Sequence, residues 1–168
     1  LMGCPAIYPG TSAPFPMRLG SIPGLSGLIV RNVMRAGGPE DARETIEFLG
    51  HRSETAEGLS EQFAEAWYRM EQLPNFEGTW VSLLQSVLRP WGAHPDSRFT
   101  GGDLARVDAP VCLIWGSDDP FGSVETGRVG AKHFRNAEFH QVGVGHLPWL
   151  DEPEQCGEIV RSFLTSDS

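Results

Sequence analysis

Five consecutive apolar residues, Val111-Cys112-Leu113-Ile114-Trp115, constrain this chain more than any other feature. They follow Asp108-Ala109-Pro110 and stop at Gly116-Ser117-Asp118-Asp119-Pro120, with no polar residue alternating among them. A strand with one wet face alternates; a run that does not is buried on both faces, as in parallel sheets. Downstream, the stretch from about Val124 to Phe134 can hold one helix, and Ala137 to Val142 read as a second strand. A closing helix carries Cys156, Ile159, Val160, Phe163 and Leu164 at i, i+3, i+4, i+7 and i+8. Asp151, with Glu154 three residues on, has capping-box spacing at its start. Strand, helix, strand, helix predicts an α/β class built on a parallel sheet.

The rest of the chain has a different texture. Residues 1–24 hold Pro5, Pro9, Pro14, Pro16 and Pro23, which forbid a long helix or a central strand there. The opening Leu1–Ala6 reads as the end of a buried strand cut through, so the chain reads as a fragment. Residues 25–91 read as short amphipathic helices without a strand between them. Leu25, Leu28, Ile29, Val33 and Met34 form the first, stopped by Gly37-Gly38-Pro39, and a second runs from about Glu40 to Leu49. Leu59, Phe63, Ala66, Trp67 and Met70 make the stripe of a third, and a fourth with Trp80, Leu83, Leu84 and Val87 stops at Pro90. The expected division is therefore 1–24 as strand end and linker, 25–91 as a helical layer or lid, and 92–168 as the α/β part. Trp67, Tyr68, Trp80 and Trp91 are expected in the packing of the helical layer, with a pocket lining as the rival use.

Composition narrows the function. A formal net charge of −9 and a pI near 4.9 set the chain against phosphate backbones, so nucleic acid is not expected as a partner. No apolar run approaches the roughly 20 residues of a membrane-spanning helix, and the N-terminus lacks the layout of a signal peptide. Cys4, Cys112 and Cys156 are odd in number and far apart, and read as reduced, mostly buried thiols of a cytoplasmic protein. His51, His94, His133 and His140 have no partners at ligand spacing, so no metal site is expected.

Two polar residues stand where open parallel sheets place their chemistry, beyond the carboxyl ends of strands. Asp119 follows the first strand and His146 the second, 27 residues apart, the length of one strand–helix–strand excursion. An ionised Asp that holds one imidazole nitrogen leaves the other free as a general base for a hydroxyl or a water. Gly143 and Gly145 would let a tight turn aim that imidazole into a cleft.

The run Trp115-Gly116-Ser117-Asp118-Asp119-Pro120, followed by Gly143-Val144-Gly145-His146-Leu147-Pro148 and then Glu152-Pro153, resembles the C-terminal part of an α/β-hydrolase. The resemblance implies a parallel hydrolase sheet with a helical cap insertion over 25–91, Asp119 as triad acid and His146 as base. It implies no cofactor and a small-molecule substrate, with Phe121 and Trp149, which flank the two loops, as substrate-binding candidates. Asp118 is the competing acid and reads as a solvated turn residue. The family's G-x-S-x-G nucleophile turn is not in this sequence. Serine-dependent hydrolysis of an ester-like small hydrophobic substrate is therefore expected only of a form that supplies the nucleophile. An Asp nucleophile would give a dehalogenase or epoxide hydrolase, and a decayed triad a non-catalytic binding module.

Overall fold

The computed structural model describes residues 1–3 and 8–166. Cys4 and the Pro5-Ala6 end of the expected opening strand lie outside the described residues. Two compact units are present, one of Ser12–Phe48 with Ser53–Arg98, the other of Leu1–Thr11, Leu49–Arg52 and Phe99–Ser168. Leu49–Arg52, which fall inside the helical stretch by sequence, thus belong to the sheet-bearing unit.

The helical unit contains α1 (Phe15–Leu19), α2 (Ser26–Ile29), α3 (Pro39–Phe48), α4 (Ser53–Gly58), α5 (Glu61–Glu71) and α6 (Phe76–Val87). α2 widens into a π-type turn over Val30–Met34, and a hairpin of β1 (Leu88–Arg89) and β2 (Gly92–Ala93) follows α6. That hairpin is the strand pair the sequence reading did not anticipate. Val30, Ile46, Leu84 and Leu88 are sealed in the centre, each worth roughly 1.5–3 kcal/mol of burial.

α5 is rotated from the expected stripe. Its buried positions are Ala64 and Glu71, while Ala66 and Met70 face solvent. The cause is the Glu71 carboxylate, which accepts the Ala36 N–H and the Trp67 Nε1–H, both at 2.6 Å. A buried carboxylate is tolerable only when so paired, and satisfying it sets the face of the helix. Trp91, expected in the packing, is 79% exposed at the tip of the hairpin.

The sheet-bearing unit follows the sequence more closely. After α7 (Gly101–Leu104) come β3 (Val111–Trp115), α8 (Val124–Ala131), β4 (Ala137–Gln141), α9 (Pro148–Asp151) and α10 (Pro153–Ser166). β3 and β4 pair in parallel, with Val111 opposite Ala137 and Trp115 opposite Gln141. On the other side of β3 the Ile114 N–H donates to Leu1 O, and the Gly3 N–H donates to Ile114 O. β3 is therefore paired along both edges, and both of its faces are covered, which is why its residues can be uniformly apolar. One face packs Cys112, Ile114 and Val142 against Cys156, Ile159, Val160 and Phe163 of α10. The other carries Leu113 and Trp115, with Trp115 against Phe139 and Tyr8 at ring separations of 5.9 and 5.7 Å.

Two details of the closing helix depart from expectation. Leu164 is 69% exposed, because eight steps at 3.6 residues per turn carry it about 80° from Cys156. Asp151 ends α9 and does not cap α10; its carboxylate is turned inward, as described below. Among the described residues, no helix is long and apolar enough to cross a membrane.

Candidate active site

Beyond β3 and β4 the sheet ladder continues into the two loops. The Val142 N–H donates to Trp115 O at 3.0 Å, Ser117 N–H to Gly143 O at 3.2 Å and Asp118 N–H to Val144 O at 2.8 Å. These bonds fix the acid loop and the histidine loop against each other before any side chain is considered. Gly143, at φ +67°, makes the turn that starts the second loop, a conformation glycine adopts without steric cost.

On that frame Asp119 and His146 meet. Asp119 Oδ2 lies 3.0 Å from His146 Nδ1, and Asp119 Oδ1 accepts the Phe121 N–H at 2.9 Å. The Asp119 side chain is sealed from solvent, whereas 22% of the His146 side chain remains exposed. An ionised carboxylate can only accept, so the Nδ1 facing it carries the proton and Nε2 is the basic nitrogen. The Phe121 ring lies 4.4 Å from the imidazole, centroid to centroid, and so forms a wall of the histidine's own seat. Trp149, on α9, is 37% exposed. Asp118 points to solvent, where its carboxylate takes the Ser117 hydroxyl at 3.1 Å.

A second His–Asp pair lies beneath the loop, and the sequence reading missed it. His51 Nδ1 is 3.0 Å from both carboxylate oxygens of Asp151, and His51 Nε2 accepts the Leu147 N–H at 3.1 Å. A backbone N–H can only donate, so Nε2 is unprotonated and the His51 proton sits on Nδ1 toward Asp151. Gly145 is needed here for room, not for its φ: a Cβ would come within 2.5 Å of the His51 ring.

A third cluster occupies the α10 face of the sheet. The cross-strand register sets Cys112 opposite Glu138 and Ile114 opposite His140. The donor atoms of Cys112, Glu138 and His140 fall within 4.8 Å of one another, so His140 does have neighbours of ligand type. Glu138 lies close to both: the Cys112 thiol hydrogen-bonds to it, and His140 Nε2 is 3.3 Å from its carboxylate without hydrogen-bond geometry. Burial first, then the hydrogen bond and charge of Glu138, push the Cys112 thiol up to about 11. Burial, followed by the charges of Asp151 and Glu152, also raises Cys156. Both thiols stay protonated at neutral pH.

No family model matches the chain. A 3-oxoadipate enol-lactonase of Acinetobacter baylyi is 29% identical over 63 residues, 38% of this chain and 24% of that protein. A 2-hydroxy-6-oxononadienedioate/2-hydroxy-6-oxononatrienedioate hydrolase of Paraburkholderia phymatum is 34% identical over 65 residues, 38% of this chain and 23% of that one. The matches thus span about a quarter of these curated relatives. Among solved structures, a meta-cleavage product hydrolase from Pseudomonas fluorescens aligns over 100% of this chain and 55% of its own, with a TM-score of 0.67 at 15% identity. A thermophilic esterase from Thermogutta terrifontis aligns over 92% of this chain and 51% of its own, with a TM-score of 0.58 at 18% identity.

Proposed function

We propose that this chain, which shares the α/β-hydrolase fold of solved hydrolases, supplies the acid and the base of a hydrolytic triad. Asp119 is the acid, His146 the base, and a serine from outside these residues the nucleophile. The substrate class is an ester-like bond in a small hydrophobic molecule. The single observation that carries this reading is the 3.0 Å contact between Asp119 Oδ2 and His146 Nδ1 at adjacent strand ends. Relatives named as an enol-lactonase and an esterase support carbonyl chemistry. The net charge of −9 supports a small molecule over a nucleic acid.

The steps follow from the geometry. His146 Nε2 takes the serine proton as Oγ bonds to the carbonyl carbon, and the resulting imidazolium is stabilised by Asp119 through Nδ1–H. That proton then passes from Nε2 to the leaving alcohol oxygen as its bond to the carbonyl carbon breaks. Water repeats the sequence on the acyl-enzyme, with His146 again accepting and returning the proton. Phe121 limits the tilt of the imidazole, and exposed Trp149 is the apolar surface offered to substrate.

In a polypeptide that carries the nucleophile, Asp119→Asn lowers kcat on aryl esters by about 10⁴-fold, because an amide favours the wrong imidazole tautomer. Asp118→Asn, the matched control, leaves it within about twofold. Near-normal turnover in Asp119→Asn overturns the acid assignment.

A further inference from the structure

The loop that carries His146 has four consecutive backbone N–H groups, and every one is held. Val144 and Gly145 donate to Asp151 Oδ2 at 2.8 and 3.0 Å. His146 donates to Leu49 O at 2.8 Å, and Leu147 donates to His51 Nε2 at 3.1 Å. All four acceptors belong either to Asp151 or to the four-residue segment Leu49–Arg52. The same segment reaches the acid loop: Gly50, at φ +87°, has its backbone so close to Asp118 that a Cβ would sit 2.5 Å from the Asp118 carbonyl oxygen. One short piece of chain therefore abuts the loops of both Asp119 and His146.

We infer that His51 and Asp151 are positioning residues for His146, acting with Leu49 as a brace that sets the imidazole against Asp119. The inference rests on the proposed role of His146 as base. The brace is directional. Leu147 N–H requires an unprotonated His51 Nε2, which places the ring proton on Nδ1, where only a carboxylate at Asp151 can receive it. The same carboxylate then has to accept Val144 and Gly145. With four successive N–H vectors fixed, the peptide planes flanking His146 cannot rotate without breaking a buried bond, so the direction of its Cα–Cβ bond is determined. His51 touches neither Asp119 nor the imidazole of His146 in any hydrogen bond described, so its effect must pass through the loop backbone.

A merely structural role would lower the amount of folded protein and leave its kinetics intact; a positioning role changes the folded enzyme. In a polypeptide that carries the nucleophile, His51→Ala is expected to lower kcat on an aryl ester about 100-fold, with KM within about threefold. His51→Gln keeps an oxygen for Leu147 N–H and an N–H for Asp151, and restores kcat to within about tenfold of wild type. Proton NMR supplies the signature: the low-field resonance of the His146 Nδ1–H shared with Asp119 broadens or vanishes in His51→Ala and returns in His51→Gln. Should the alanine variant not fold, Asp151→Asn conserves shape but turns one of the two acceptor oxygens into a donor, so His51 Nδ1–H and the Val144 and Gly145 N–H groups can no longer all be accepted, and the same loss of kcat and resonance is expected. Unchanged kcat and an unchanged His146 resonance in folded His51→Ala or Asp151→Asn overturn the brace. So does a loss confined to KM. If instead His146→Ala stays active, the triad reading fails, and the resonance still decides whether the brace holds the imidazole.

Discussion

The two histidine–aspartate pairs use the same bond. Each sets imidazole Nδ1 at 3.0 Å from a sealed carboxylate, and each carboxylate also accepts at least one backbone N–H, Phe121 for Asp119 and Val144 and Gly145 for Asp151. They differ at the other ring nitrogen. His51 gives its Nε2 to the Leu147 N–H and has no exposed side-chain surface, while His146 keeps 22% of its side chain open. The pairing with aspartate therefore does not mark a catalytic histidine. On the proposed reading, what the second nitrogen does separates the base from the strut.

This contrast can be broken in order of effect. The largest is thermodynamic: Asp151→Ala strands His51 Nδ1–H and two backbone donors inside the protein, and each unsatisfied buried donor costs about 1–3 kcal/mol. Denaturant melts of that variant and of His146→Ala check it, the latter expected to cost about 1 kcal/mol because Asp119 keeps the Phe121 N–H. A cost in His146→Ala equal to that in Asp151→Ala would erase the distinction. The second effect is chemical. Diethyl pyrocarbonate should acylate His146 while the fold protects His51, read by mass mapping of the modified peptides; equal labelling would mean that the brace is open.

The smallest effect lies at a looser contact, His140 Nε2 beside Glu138, whose carboxylate hydrogen-bonds the Cys112 thiol. There the folded state holds the Cys112 proton up to about pH 11, against an ordinary value of 9.0. Above pH 9 the unfolded chain has lost a proton that the folded chain retains, so stability falls as pH rises from 9 to 11. Thermal melts across that window should show the fall, and Cys112→Ala should flatten it.

The two pairs also differ in how far the sequence disclosed them. Asp119 and His146 are separated by one excursion of the sheet, so strand-end logic and a spacing of 27 make their meeting readable, and the family resemblance adds their roles. His51 and Asp151 are 100 residues apart, and no local pattern joins them. Asp151 was even disguised, since its spacing to Glu154 imitates a helix cap. The separate short helix over Pro148–Asp151 and the start of α10 at Pro153 free the carboxylate for the loop. β3 was legible because burial on both faces erases alternation. α5 was not, because a buried glutamate with two donors outweighed an apolar stripe, and hydrophobic periodicity carries no record of such a partner.

Leu49–Arg52 has a consequence for anyone who exchanges parts between proteins of this fold. Residues 25–91 look by sequence like a replaceable insert, and a chimaera would be cut at both ends. Such a graft would discard Leu49, Gly50 and His51, which belong to the sheet-bearing unit, and would leave Asp151 facing an empty seat. The tetrapeptide is the portion a donor sequence must reproduce.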